Sequence, residues 1–132
     1  MLCHERHVAH YATLAPGGRM LRVCSVNQLV PGEGLRIDAL TPPIAVFLTE
    51  DGTVHALDDT CTHQDASLAA GWVEDCRVEC PLHASSFSLL SGEVDQPPAK
   101  RPARVHHVEV RDGEVWVELS TAVPHLPPGV LS

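Results

Sequence analysis

Four residues in the middle of the chain have side chains that bind transition metals. They form two short segments, Cys61-x-His63 and Cys80-x-x-His83. Each segment offers one thiolate and one imidazole, which are ligands of zinc, copper and iron–sulfur centres, whereas calcium and magnesium prefer oxygen. The types of these residues therefore indicate a metal centre with mixed sulfur and nitrogen ligation.

The arrangement of the two segments distinguishes between these metals. A zinc finger takes both cysteines from one turn and both histidines from another, with roughly two to four residues between the cysteines. Here each segment is mixed, and a single residue separates Cys61 from His63. Two such loops can hold a two-iron unit between them, with the cysteines on one iron and the histidines on the other. A structural zinc module without a redox role is an alternative that the mixed pairs disfavour.

In order and spacing, the two segments resemble the signature of the Rieske iron–sulfur family. The resemblance implies one [2Fe–2S] cluster with Cys61, His63, Cys80 and His83 as its ligands. The resemblance extends from about Met20 to Leu119. Over this range the sequence is similar to the small Rieske-type ferredoxins of multicomponent bacterial oxygenases. Residues around the ligands add to the resemblance. These are Gly71 and Trp72 between the loops, Phe87 and Gly92 after the second loop, and Pro97 and Pro98 at the family's proline-containing loop beside the cluster.

Short strand-like runs separated by turns predict an all-β fold. Two hairpins are clear, Ile44 to Thr49 with Val54 to Leu57 and Val105 to Val110 with Glu114 to Leu119, because each pair flanks an Asp-Gly turn. Only Ala66 to Ala70 could form a short turn of helix. The resemblance implies the Rieske fold, an antiparallel β-sheet base made from both chain ends with an inserted cluster-binding lobe.

These patterns divide the chain into three parts. We expect an N-terminal tail at 1–19, a Rieske [2Fe–2S] domain at 20–120 and a C-terminal tail at 121–132, with the cluster-binding lobe at about 58–98. Because Met20 opens the first strand-like run, the sequence leaves open whether translation starts at Met1 or at Met20.

The composition excludes several classes of protein. The chain has 17 Asp and Glu against 9 Lys and Arg, a formal net charge of −8, so it lacks the clustered bases that neutralise nucleic-acid phosphates. Apolar runs such as Ile44 to Leu48 are far shorter than the roughly 20 residues of a membrane-spanning helix. The N-terminus has no apolar stretch typical of a secretory signal. The number of cysteines is odd, at five, and their spacings do not suggest a disulfide framework. We therefore expect a soluble, cytoplasmic protein.

Most of the negative charge falls between positions 50 and 79, where Arg77 is the only Lys or Arg. The acids of this segment are Glu50, Asp51, Asp58, Asp59, Asp65, Glu74, Asp75 and Glu79. We expect this acidic stretch to surround the first ligand loop and to meet basic surfaces on the redox partners.

The resemblance implies an electron carrier rather than an enzyme. A flavoprotein ferredoxin reductase would supply the electron, and a terminal oxygenase would receive it. The alternative within the same fold is the small subunit of an assimilatory nitrite reductase, although those subunits often lack the metal ligands and this chain has all four. The catalytic oxygenase subunit is not expected, because Ser120 to Ser132 is too short for a mononuclear iron domain.

The residues after the second ligand loop predict that the cluster of this chain has a reduction potential at the low end of the family's range. His-ligated clusters lie at roughly −150 to +300 mV, against about −400 mV for plant-type ferredoxins. High-potential Rieske proteins have an extra Cys in each loop, and Ser and Tyr hydroxyls beyond the second His. This chain has Ser85 at the first hydroxyl position but Phe87 at the second, and no extra Cys in either loop.

The other cysteines and histidines are expected to be structural or surface residues. Cys24 lies in a strand-like run and should be a small core residue. Cys76 and Cys80 are four apart in an apparent strand and hence on one face, which makes Cys76 a weak competitor as ligand. A structural or surface role is expected for His106 and His107 in a later strand. The N-terminal Cys and His residues are expected to belong to a solvated tail.

Overall fold

The computed structural model describes residues 19–82 and 84–127. This part of the chain consists of short β-strands and 3₁₀ turns and contains no α-helix, which confirms the all-β class. In chain order the strands are β1 (Met20–Ser25), β2 (Glu33–Ile37), β3 (Ile44–Leu48), β4 (Val54–Asp58), β5 (Trp72–Glu74), β6 (Arg77–Glu79), β7 (Ser86–Ser88), β8 (Val94–Gln96), β9 (Val105–Arg111) and β10 (Glu114–Glu118). No helix in the described part is long and apolar enough to cross a membrane.

The strands form two antiparallel sheets. The larger sheet, which we call the base, has the order β1-β10-β9-β4-β3-β2, and the smaller sheet, which we call the lobe, has the order β5-β6-β7-β8. The lobe is inserted in the chain between β4 and β9, which are neighbours in the base. The base thus combines strands from both ends of the described chain, as the resemblance implied.

Two tight turns define the hairpins of the base. β3 and β4 are joined around Asp51 and Gly52, and β9 and β10 are joined by Asp112 and Gly113. Gly52, Asp112 and Gly113 have φ angles of 89°, 51° and 77°. Glycine enters this left-handed region without a Cβ clash. Both hairpins predicted from their Asp-Gly turns are therefore confirmed, with strand ends that differ by about one residue from the sequence pattern.

The base and the lobe share side chains in their cores. On β3, Ala45 and Phe47 pack into the core of the lobe, whereas Ile44 and Val46 pack into the core of the base. All four are fully buried, because alternate side chains of a strand point to opposite faces. The continuous apolar run of β3 is the signature of a strand that is covered on both faces.

One predicted strand is shorter than its sequence pattern indicates. β6 begins at Arg77, and Asp75 and Cys76 form the turn before it with φ angles of 54° and 61°. Cys80 follows the last residue of β6. The prediction that Cys76 and Cys80 share one face of a strand is therefore wrong, because a two-residue hairpin turn takes Cys76 out of the extended conformation.

Candidate metal centre

The first ligand loop leaves the base at the end of β4. Residues 58–62 are all buried, and His63 is exposed. The backbone N–H of Cys61 donates to the carbonyl of Ala66 at 2.9 Å, and the N–H of Ala66 donates to the carbonyl of Gln64 at 2.8 Å. These bonds close a tight loop that holds Cys61 inside the protein and presents His63 at the surface.

The second ligand loop follows β6. The backbone N–H of Cys80 donates to the carbonyl of Ser85 at 2.7 Å, and the N–H of Ala84 donates to the carbonyl of Cys80 at 3.1 Å. Between them Leu82 is 61 % exposed. The fourth predicted ligand, His83, lies outside the described residues. The loop therefore buries its cysteine and exposes its tip, as the first loop does.

The two loops bring the cysteine sulfurs together. Cys61 and Cys80 are free thiols that are 0 % and 1 % exposed. Burial raises the pKa of the Cys61 thiol; the backbone N–H groups of His63 and Gln64, which donate to its sulfur, oppose this rise, and the neighbouring Cys80 thiol adds to it. Two buried thiols in contact, with N–H donors directed at one of them, form a site in which a cation would bind them as thiolates.

A third segment, between β8 and β9, fastens both ligand loops. The N–H of Ala99 donates to Oγ of Ser85 at 2.9 Å. The hydroxyl of Thr62 donates to the carbonyl of Arg101 at 2.7 Å. The proline-containing loop expected beside the centre therefore contacts the first and second ligand loops at once.

Asp59 supports the first ligand loop from inside. Its carboxylate accepts hydrogen bonds from Oγ of Ser67 at 2.8 Å and from the N–H of Ala69 at 2.9 Å. Burial raises the pKa of this carboxyl, while the bonds from Ala69 and Ser67 act in the opposite direction. Asp59 is therefore a structural acid that organises the chain beyond the loop.

Gly71 allows the chain to approach the second ligand loop closely. A Cβ at this position would lie 2.0 Å from the carbonyl oxygen of Glu79, the residue before Cys80. No other residue type fits this contact without displacing the backbone. The next residue, Trp72, pairs with Glu79 between β5 and β6. The close contact at Gly71 therefore fixes the position of the end of β6, which Cys80 follows.

Comparison with known proteins identifies this arrangement. The sequence profile of the Rieske [2Fe–2S] domain matches residues 19–118. The chain belongs to the Rieske [2Fe–2S] domain family. The ferredoxin subunit of the 3-phenylpropionate/cinnamic acid dioxygenase of Escherichia coli (strain K12) is 39% identical over 102 residues, which cover 76% of this chain and 94% of that subunit.

Solved structures of proteins from different redox systems share this fold. A chain in the complex of reduced oxygenase and oxidised ferredoxin of carbazole 1,9a-dioxygenase has a TM-score of 0.71 and 34% identity, and the match covers 79% of this chain and 96% of that one. The small subunit of an NADH-dependent nitrite reductase from Mycobacterium tuberculosis has a TM-score of 0.68 and 26% identity, covering 82% and 100%. The ferredoxins are the more similar relatives.

The donor set of the centre fits the cofactor of the family. A Rieske domain binds a [2Fe–2S] cluster, and this chain is an electron carrier of the ferredoxin kind rather than a catalytic subunit. Each iron of such a cluster takes two protein ligands, so pairs of ligands are expected rather than larger groups. Within residues 19–82 and 84–127, no group of three or more His, Cys, Asp or Glu side chains could hold a metal ion, whereas the buried thiols of Cys61 and Cys80 lie side by side.

Other Cys and His residues of this Rieske domain have structural positions. Cys24 is buried in the core of the base, as predicted. His106 is buried and bonded on both ring nitrogens, and His107 is partly buried on the same strand, which confirms the predicted structural or surface role. The N-terminal Cys and His residues lie outside the described residues.

The acidic segment does not form one surface around the first ligand loop, so that expectation is wrong. Asp58 and Asp59 are buried. Glu50 and Asp51 lie at the turn before β4, at the opposite end of this strand from the ligand loop, and the strand is about 13 Å long. The exposed acids beside the ligand loops are Asp65 and Glu79.

A buried network of charged groups lies at the end of β4, where the chain leaves the base for the lobe. The sequence did not predict it. The carboxylate of Asp58 accepts hydrogen bonds from Arg104 at 2.8 and 3.1 Å and from His106 at 2.9 Å. These partners lie 46 and 48 residues along the chain. The only signal in the sequence is an acid at the end of an apolar strand, which does not identify its partners.

Proposed function

We propose that the chain carries single electrons from a flavoprotein ferredoxin reductase to a terminal oxygenase of a multicomponent aromatic-ring dioxygenase. The observation that carries the proposal is the contact between the buried thiols of Cys61 and Cys80 beneath exposed residues His63 and Leu82. A redox centre at this depth is shielded by protein on one side and close to solvent on the other, which suits electron exchange between two proteins. The similarity to the ferredoxin subunits supports the identity of the oxygenase partner.

In this proposal the ligands divide by type between the two irons. Cys61 and Cys80 would hold one iron, and His63 and His83 would hold the other. When bound, the cluster supplies reversible one-electron redox chemistry. The N–H groups of His63 and Gln64 donate to Sγ of Cys61 and thereby stabilise negative charge on that sulfur.

Ser85 and Phe87 support a reduction potential for this chain that is low within the range of the family. Phe87 is fully buried and has no hydroxyl group to donate. Oγ of Ser85 accepts the N–H of Ala99, so the Ser85 hydroxyl proton is available for a different acceptor. One hydroxyl donor stabilises a reduced, more negative cluster less than two donors would.

The exposed residues at the ends of the two ligand loops are the proposed docking surface. Besides His63, this surface contains the apolar side chain of Leu82 and the carboxylates of Asp65 and Glu79. Apolar contact at the centre with flanking acids suits a partner with a small apolar patch and basic flanks. Electrons would pass at this surface, because it includes the proposed ligand His63.

The proposal keeps the domain organisation predicted from the sequence. The Rieske domain is 20–120, with the cluster-binding lobe at about 58–98 and tails at 1–19 and 121–132. In its support, β1 begins at Met20 and β10 ends at Glu118. We also place the protein in the cytoplasm, where reducing conditions keep Cys61 and Cys80 as free thiols for the cluster.

The second candidate function is that of a nitrite reductase small subunit, which the fold similarity to such subunits supports. The two functions differ in the acceptor of the electron. With the purified, reduced protein, we expect electron transfer to the oxygenase of an aromatic-ring dioxygenase and not to the large subunit of a nitrite reductase. The reverse preference would establish the second candidate.

The ligand assignment is tested by spectroscopy on matched cysteine variants. The natural protein should be brown, bleach with dithionite and then give the electron-resonance signal of mixed nitrogen and sulfur ligation. Cys80→Ser should lose this signal, and its lobe should become sensitive to proteolysis, because metal binding and folding are coupled. Cys24→Ser, a buried cysteine of the base, should keep the signal. A colourless zinc protein, or an intact signal in Cys80→Ser, would exclude the assignment.

A further inference from the structure

The side-chain amide of Gln64 has an unmet hydrogen-bonding requirement. Its Nε2 atom is shielded from solvent and has no acceptor among the described residues. A buried donor without a partner costs about 1–3 kcal/mol, and the large majority of buried polar groups in native proteins are hydrogen-bonded. An acceptor is therefore expected beside Gln64 that residues 19–82 and 84–127 do not supply.

The backbone of Gln64 lies directly against a proposed ligand. Its N–H donates to Sγ of Cys61, and its carbonyl accepts the N–H of Ala66 at 2.8 Å. Both backbone polar groups are thus satisfied within the first ligand loop, whereas Nε2 of the side-chain amide lacks an acceptor in the described part of the chain. The group that a Rieske domain binds at this loop contains sulfide and thiolate sulfurs, which accept hydrogen bonds from N–H donors.

We propose that the Nε2–H of Gln64 donates a hydrogen bond to a sulfur of the bound [2Fe–2S] group and raises its reduction potential. This inference rests on the proposed ligation by the first loop. Reduction adds one electron, and hence one negative charge, to the group. A donor stabilises the more negative form more strongly, so its presence favours electron uptake from the reductase.

Two variants remove the donor with little change of shape. Gln64→Met keeps an unbranched side chain of similar length without an N–H. We expect it to lower the equilibrium constant for reduction about tenfold, which is about 59 mV in the midpoint of a one-electron couple. Gln64→Glu replaces the amide by acceptor oxygens and should lower the midpoint at least as far.

The matched control is Gln96→Met, which makes the same substitution at an exposed glutamine at the end of β8. Its midpoint potential should equal that of the natural protein. Voltammetry of the three variants and the natural protein, at equal iron content, makes the comparison. If Gln64→Met has an unchanged midpoint, the proposal is wrong, and a loss of iron without a shift in midpoint would assign Gln64 a structural role instead.

Pulsed electron resonance gives a second measurement that a structural role would not affect. In the reduced protein, deuterated buffer should remove several exchangeable proton couplings to the cluster, including those of the His63 and Gln64 backbone N–H groups. Gln64→Met should keep the backbone couplings and lack one further exchangeable coupling that the natural protein shows. A full set of exchangeable couplings in the variant would contradict the proposal. The outcomes also distinguish a failure of the proposed function from a failure of the proposed role of Gln64. Absence of the Rieske signal in the natural protein refutes the proposed function, whereas a normal signal with an unchanged Gln64→Met midpoint refutes only the role of Gln64.

Discussion

Oδ1 of Asp58 accepts a hydrogen bond from Nε2 of His106 at 2.9 Å in the interior of the protein. The backbone N–H of Ser120 donates to Nδ1 of the same ring at 2.9 Å, so the ring proton is on Nε2 and points at the carboxylate. Nε and Nη2 of Arg104 donate to the two oxygens of the same carboxylate. Because Asp58 ends β4, this network joins β4, β9 and the segment after β10 at the root of the lobe.

Substitution of Asp58 should destabilise the whole domain. Asp58→Asn removes the charge that pairs with Arg104, whose side chain is only 12% exposed. Breaking a buried ion pair from one side leaves the other charge uncompensated and typically costs about 3–5 kcal/mol. We expect a loss of that size in the free energy of unfolding, measured by urea denaturation followed by circular dichroism.

An exposed ion pair provides the control for this experiment. Nη1 of Arg77 is 2.7 Å from Oδ2 of Asp95, and both side chains are well exposed to solvent. Exposed pairs contribute little to stability because water and salt screen them. Asp95→Asn should therefore leave the urea midpoint nearly unchanged. Equal losses in the two variants would show that the buried network has no special role.

The Asp58 network should also lose its stabilising effect in acid. Burial alone would raise the pKa of Asp58, but the hydrogen bonds from His106 and Arg104 outweigh it and hold the pKa below the ordinary value of 3.8. Below that pH the unfolded chain binds a proton that the folded chain does not. The contribution of Asp58 is therefore complete above the ordinary value and is lost as the pH falls through the folded-state pKa.

Unfolding at several pH values tests this linkage. The gap in unfolding free energy between the natural protein and Asp58→Asn should be constant from about pH 5 to 7 and shrink below about pH 4. Comparison of the two proteins removes the loss of stability that both share in acid. A gap that stays constant throughout acidification would contradict the lowered pKa.

Leu82 should affect docking without affecting the cluster. Leu82→Gln replaces an exposed apolar side chain at the tip of the second ligand loop. A central apolar contact in an interface contributes about 1 kcal/mol or more, so electron transfer to the oxygenase at limiting concentration should slow roughly fivefold to tenfold. The control is Val110→Gln on β9 of the base, where the valine is 46% exposed. Stopped-flow rates that fall equally in both variants would place docking elsewhere.

The two acids Glu79 and Glu50 should differ in their influence on the partner. Glu79 is exposed immediately before Cys80, whereas Glu50 is exposed at the far end of the base strands. Electrostatic attraction between proteins is screened by salt, so the natural rate should fall as ionic strength rises. Glu79→Gln should weaken this dependence and Glu50→Gln should not. A flat response in the natural protein would mean that the acidic charge serves solubility alone.

Gly71→Ala should impair assembly of the second ligand loop. The added Cβ would meet the carbonyl of Glu79 at 2.0 Å, so the backbone before Cys80 must move. We expect a lower iron content per protein, measured by iron analysis and absorbance.

The control for Gly71 is Gly52→Ala. Open space surrounds Gly52, but its φ angle is 89°. This variant should lose about 1–2 kcal/mol of stability from backbone strain and keep its full iron content. Full iron content in Gly71→Ala would show that the close approach is not required.

Local patterns in the sequence predicted the parts of the fold that depend on neighbouring residues. The turns at Gly52 and Gly113 follow from the backbone conformation that an Asp-Gly pair permits. The turn at Cys76 escaped prediction because non-glycine residues occupy both of its left-handed positions. An extended strand and a tight hairpin turn are then hard to distinguish from residue types alone.

By itself the sequence determined the chemistry of this protein. The types and spacing of Cys61, His63, Cys80 and His83 limit the metals that can bind, and alternating apolar residues limit the fold to sheets. The tertiary structure decided which distant groups meet. It buries Asp58 against Arg104 and His106, separates Glu50 from the ligand loops, and leaves Nε2 of Gln64 without an acceptor among the described residues. Such contacts depend on how strands distant in the chain pair and pack, and local residue patterns do not encode that information directly.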